Sequence, residues 1–460
     1  MRKFLTSFFL MITGISYSNV SLPRVFSDNM VLQRNSEVRI WGWAKPGEEV
    51  NISTSWSEQV YKTMPNNRAY WEIFLPTPDR RGAQQIRIKG YNEIVLRNVL
   101  LGEVWLVSGQ SNMEWSADAG ITNAEEAIAG AENPQIRFFS TFHSTAEHPQ
   151  QDLEGSWVAS SPETMRYFSA VAYFFGKKLQ EELDVPVGLI NSSWGGTPAE
   201  VWIPSEKFTE NRRLSQAAAL LPDGEYGPNR PGVIFNAMIA PLIPFEIAGV
   251  LWYQGESNTA NADHYEEAFS TLINSWREKW EREIPFYYAQ IAPYDYGDNY
   301  NGVKIRDAQR RVQALPRTGM VMTSDIGNIK DIHPRNKLDV GLRFANLALA
   351  EVYGKEINNA YAPFFVSAEA EGELVKVYFS HDGGLHLKKE DEASQFEVAG
   401  AEGHFYTADI RITDDQVYLS SKKVKTPVFV RFSWGNMSTS NLFNAAGLPA
   451  SSFLTEIEQQ

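Results

Sequence analysis

Between about residues 101 and 354 the chain repeats one pattern: a short apolar run, a polar stretch, then a segment with the apolar spacing of an amphipathic helix. The apolar runs fall at 104–107, 136–139, 187–190, 249–253, 286–291 and 320–323. Short unbroken runs of this kind suit strands buried on both faces. Three intervening segments place apolar residues at i, i+3, i+4 and i+7. One carries Phe168, Val171, Ala172, Phe175 and Leu179, and a second carries Tyr265, Ala268, Phe269, Leu272, Ile273, Trp276 and Trp280. The third carries Leu338, Leu342, Ala345 and Leu349. Alternating units of strand and helix predict an α/β fold with a parallel sheet covered on both sides. In such a sheet every strand ends on one rim, so residues far apart in sequence converge there.

The flanks follow a different rule. Residues 19–100 alternate apolar and polar positions in short runs: Val38, Ile40 and Gly42, then Val50, Ile52 and Thr54, then Trp71, Ile73 and Leu75. Residues 355–460 return to that pattern with Val375, Val377 and Phe379, Val417 and Leu419, and Val428, Val430 and Phe432. Both flanks read as all-β, of sandwich or jelly-roll type. The expected division is therefore 1–18, 19–100, 101–354 and 355–460. Within the third part, residues 204–232 fit no clean element and read as a surface excursion.

Residues 1–18 read as a secretory signal. Arg2 and Lys3 precede a short apolar run, and Ser16-Tyr17-Ser18 supplies the small-x-small pattern of a cleavage site. The run is too short to span a bilayer. The expected location is periplasmic or secreted, with no membrane insertion after the signal is removed. The 460 residues include no cysteine, which excludes thiol chemistry and thiolate metal sites and leaves an exported fold without disulfides. With 56 acidic against 42 basic residues, a net −14, nucleic acid is not an expected partner.

The chemistry lies at the strand ends. After the first apolar run comes Ser108-Gly109-Gln110-Ser111-Asn112-Met113, a small-residue turn that presents a hydroxyl. After 187–190 comes Asn191-Ser192-Ser193-Trp194-Gly195-Gly196. After 249–253 comes Gln254-Gly255-Glu256-Ser257-Asn258. After 320–323 come Asp325 and then Asp331-Ile332-His333-Pro334. Acyl transfer needs a nucleophile, a base, a group that orients the base and donors for the oxyanion. Ser111 and His333 fit the first two roles. Among the seven histidines, His143 and His148 are weaker rivals for the base. Asp331 is the candidate orienting carboxylate and Asp325 its rival. The Ser111 N–H, an N–H from Gly195 or Gly196, and the Gln254 amide would form the oxyanion hole. Gln110, Asn112 and Glu256 read as residues that support the site. This chemistry calls for no metal and no organic cofactor.

These blocks, together with Phe26-Ser27-Asp28-Asn29-Met30-Val31-Leu32-Gln33 near the start, resemble the signatures of the sialate O-acetylesterase family. That family is a branch of the SGNH/GDSL hydrolases, related to acetyl xylan esterases. The resemblance implies a serine esterase removing O-acetyl groups from carbohydrate, most readily 9-O-acetylated sialic acid, with Gln254 standing where SGNH enzymes use an oxyanion asparagine. Acetylated xylan or another acetylated glycan is the alternative substrate, and a non-catalytic carbohydrate-binding protein a remoter one. Many SGNH enzymes place Asp three residues before His, whereas here the gap is two, which leaves Asp331, Asp325 or neither as the partner of His333. Specificity is expected from Trp115, the 195–202 loop and the 204–232 excursion.

Overall fold

The computed structural model describes residues 19–459 apart from 223, 225, 298, 299 and 390–393. The signal-like segment at 1–18 lies outside the described residues. All six expected strands of the middle region form and pair in parallel. Across the sheet they run Thr318–Val321, Phe286–Ala289, Gly249–Tyr253, Glu93–Gly109, Val187–Ser193 and Asn133–Ser140, with Trp157–Ser160 added antiparallel at the edge.

Glu93–Gly109 is the centre of the design. From it the chain first builds one side of the sheet, the outer strands before the inner one, then crosses to the other, so its carboxyl end is the topological switch point where α/β sheets open a crevice. The strand is 17 residues long and buried at each of its last eleven positions. Its first half pairs antiparallel with Gln84–Lys89 and parallel with Val31–Gln33, and its second half enters the parallel sheet. One strand therefore belongs to both the amino-terminal β layer and the central sheet.

Helices cover both faces. Ala170–Leu183 starts where the Ser169 hydroxyl accepts the Ala172 N–H and ends at Asp184 in the left-handed region, φ 52°. It packs with Lys337–Glu351 on the face that buries Trp105, whose indole meets Phe175 edge-on at 5.1 Å and stacks on Tyr287. Tyr265–Trp280 covers the other face around Trp252, which is crossed edge-on by Trp202 and Trp276. That second core runs without a break into Phe26, Val38, Ile40, Trp41 and Trp71 of the amino-terminal β layer. Two features depart from expectation. The 204–232 excursion contains two short helices, Glu206–Glu210 and Arg212–Ala218. A helix also forms at Asn301–Val312, where no periodic segment was expected.

Beyond the middle region, a five-stranded mixed sheet and a four-stranded antiparallel sheet enclose a separate core of Val375, Val377, Val417, Phe396, Phe432 and Phe453. Polar contacts join it to the α/β part. The Arg306 guanidinium donates to the carbonyls of Gly435 and Asn436, and Gln290 Nε2 donates to Ser451 Oγ at 2.7 Å.

Candidate active site

The Ser111 turn is forced by glycine. Gly109 has φ +136°, and a Cβ there would lie 2.2 Å from the Tyr253 carbonyl; only glycine tolerates that approach. The chain then turns into a one-turn helix, Ser111–Glu114, whose first N–H groups have no intrahelical acceptor. Ser111 Oγ lies 2.9 Å from His333 Nε2. Trp115 stacks on the His333 ring at 4.2 Å and fixes its plane. Two residues 222 positions apart thus meet as a hydrogen-bonded hydroxyl and imidazole, an arrangement with the chemistry that acyl transfer asks of a nucleophile and its base.

The carboxylates are placed differently from each other. Asp331 Oδ1 accepts the main-chain N–H of His333 at 2.9 Å, so it shapes the loop that carries the base. Asp325 is held in a two-point ion pair by Arg343, at 2.8 and 2.6 Å. Among the described residues no carboxylate hydrogen-bonds the His333 ring. Its pKa is lowered, first by burial and then by the Lys337 ammonium, with Asp331 pulling the other way.

Gln254 does not take the place expected of it. Its side chain is fully buried. Its Nε2 donates to Thr197 O and Asn258 Oδ1, and its Oε1 accepts from Tyr265 OH at 2.9 Å. Both donors are spent on internal partners, so the oxyanion role is corrected to a structural one. The Gly195 N–H is likewise occupied, by Glu114 Oε2 at 2.7 Å. Gly196, φ +73°, lies next to it in the same loop. A Cβ on Gly195 would sit 3.2 Å from that of Ser111, which shows how closely the loop approaches the nucleophile.

The supporting residues form one buried array. Asn112 Nδ2 donates to Glu256 Oε1 at 2.6 Å and to Ile332 O at 2.9 Å, and Asn112 Oδ1 accepts from Lys337 Nζ at 2.6 Å. The residue after Ser111 is thereby tied to the residue before His333. Burial raises the pKa of Glu256 and lowers that of Lys337 to about 7. Gln110 Oε1 accepts the N–H groups of Gly255 and Ser257.

A cavity of about 560 Å³ opens above Ser111 and His333. Its walls include Trp115, Trp194, Tyr226, Glu114 and His143. His143 does not contact the nucleophile. It pairs with Glu114 Oε1 at 2.9 Å, which raises its pKa, and stacks on Trp194 at 4.3 Å. His148 is exposed on the surface. Reading the sequence missed Glu114 and Lys337. Both have a positional signal, three residues after Ser111 and four after His333 on the helices those motifs begin or precede.

The profile of a family described as carbohydrate esterase, sialic acid-specific acetylesterase, matches residues 101–350. The chain is 31% identical to human sialate O-acetylesterase over 420 residues, 82% of this chain and 79% of that one. It is 31% identical to the sialate O-acetylesterase of Pongo abelii over 72% of this chain and 70% of that one. The crystal structure of a carbohydrate acetylesterase from Xanthomonas citri superposes with a TM-score of 0.87 at 34% identity, covering 95% of this chain and 99% of that one.

Proposed function

Because this chain belongs to the sialic acid-specific acetylesterase family of carbohydrate esterases, we propose that it is an exported serine esterase working through an acetyl-serine intermediate. The hydrogen bond from Ser111 Oγ to His333 Nε2, at the floor of an aromatic-walled cavity, carries this reading. His333 takes the Ser111 proton as Oγ attacks the acetyl carbonyl. The tetrahedral oxyanion faces the Ser111 and Gly196 N–H groups. The imidazolium then protonates the departing sugar oxygen, and His333 activates the water that releases acetate. Asp331 assists through its charge and the loop it shapes. The proposed substrate is 9-O-acetylated sialic acid, and residues 1–18 are proposed to direct the chain to a periplasm or the exterior.

A second substrate reading has its own support. The cavity is lined by two carboxylates, Glu114 and Glu256, beside three large aromatic rings. The rings suit the faces of neutral sugars, and among the described residues no arginine or lysine lines the cavity to meet a substrate carboxylate, so acetylated xylan or a similar glycan fits these walls. Acetate release from 9-O-acetyl-N-acetylneuraminic acid and from acetylated xylan, each with wild type and Ser111→Ala, tests both readings. Ser111→Ala should abolish release with the thermal midpoint nearly unchanged. Substantial residual hydrolysis would remove Ser111 as nucleophile, and a clear preference for xylan would remove the sialate assignment.

A further inference from the structure

The oxyanion position is short of donors once Gln254 and the Gly195 N–H are committed elsewhere. We propose that the side-chain amide of Gln110 supplies the missing one, as a catalytic residue that touches the reacting acetyl group. Gln110 immediately precedes the nucleophile and is only 3% exposed. Its backbone is fixed by a hydrogen bond from its N–H to Tyr253 O at 3.0 Å. Its side chain is fixed at the oxygen end, where Oε1 accepts the Gly255 N–H at 3.4 Å and the Ser257 N–H at 3.2 Å.

Two donors on one oxygen settle which end of the amide is which, and they turn Nε2 the other way. Among the described residues Nε2 has no hydrogen-bond acceptor. It is also not one of the atoms sealed away without a partner, so it is open, and the space Gln110 lines is the cavity shared with Ser111 and His333. A neutral amide held in this way donates to developing negative charge without titrating and with little reorganisation. The hole is then completed by Ser111 N–H, Gly196 N–H and Gln110 Nε2–H.

This assignment rests on the acetyl-serine reading, and one experiment separates the two. Hydrolysis of p-nitrophenyl acetate is followed for wild type, Ser111→Ala, Gln110→Glu and Gln110→Met. Glutamate keeps an oxygen for the Gly255 and Ser257 N–H groups and removes the donors; methionine removes the donors without adding charge. Each Gln110 variant should lose about 10²–10³ in kcat with KM nearly constant. Each should also bind an alkylboronate, which forms a tetrahedral adduct on Ser111, about a hundredfold more weakly, an effect that a merely structural role would not produce. If Ser111→Ala is inactive and either folded Gln110 variant keeps kcat within about threefold of wild type, the Gln110 assignment falls alone. If Ser111→Ala is fully active, the acetyl-serine reading falls and takes the assignment with it.

Discussion

His333 can accept a proton only when neutral, and its surroundings favour that state. Half-burial and the Lys337 ammonium hold its pKa below the ordinary histidine value, against a weaker upward pull from Asp331. Activity is therefore retained below the pH at which a free histidine would be half protonated. kcat/KM should fall on the acid side with a midpoint under about 6.5, and a midpoint above that value would contradict this environment. Lys337→Met removes the cation and should move the acid limb to higher pH. Gln254→Ala makes the opposite kind of change, in stability. It removes one buried hydrogen bond from each of Tyr265 OH, Asn258 Oδ1 and Thr197 O, at a cost of about 1–3 kcal/mol, to be read as a lower thermal midpoint. Ser111 and His333 were legible in the sequence because each stands in a polar block after an apolar run. The fate of Gln254 was not, because a side chain's direction depends on Thr197, Asn258 and Tyr265, which share no local signal with it.

Elements hold these residues in place, and two connections matter most. The helix Ser111–Glu114 ends in a carboxylate that grips both the Gly195 N–H and His143, tying the nucleophile's own helix to the glycine loop beside it. Glu114→Ala should release that loop and lower kcat by about ten- to a hundredfold, with a smaller change in KM, as steady-state kinetics would show. At the strand end, Gly109→Ala forces a Cβ against the Tyr253 carbonyl, and both the thermal midpoint and the esterase activity should drop together. Helices with apolar stripes were legible; Asn301–Val312 was not. Its buried face carries Arg306, Asp307 and Gln309 beside Val303, Ile305 and Ala308, so the hydrophobic period is diluted by polar groups that pair within the helix, as Asp307 does with Arg310 and Arg311, or with distant segments, as Arg306 does with Gly435 and Asn436. The edge strand Trp157–Ser160 is four residues long, too short to carry a period at all.

At the scale of the molecule, the β flanks are bound to the α/β part in two chemically different ways. The amino-terminal layer shares one apolar core with the sheet. The carboxyl-terminal sheets have their own core and meet the α/β part through a small apolar contact at Ala362, Phe364 and Leu448 and through polar groups, above all the fully buried Arg306 reaching Gly435 and Asn436. A chain ending at residue 354 would lose these hydrogen bonds and expose the surface that the carboxyl-terminal sheets cover. It should unfold at markedly lower temperature in calorimetry than the full chain; an unchanged midpoint would refute the coupling. The general outline, β flanks around an α/β centre, was visible in the change of hydrophobic period. The passage of the strand Glu93–Gly109 through two sheets was not, since period alone does not say where one strand ends and the next begins. That continuity has a hereditary consequence. Side chains alternate across a strand, so a codon lost or gained between Leu96 and Ser108 would invert every residue downstream and turn Ser111 off the rim. This stretch can drift in spelling but not in length.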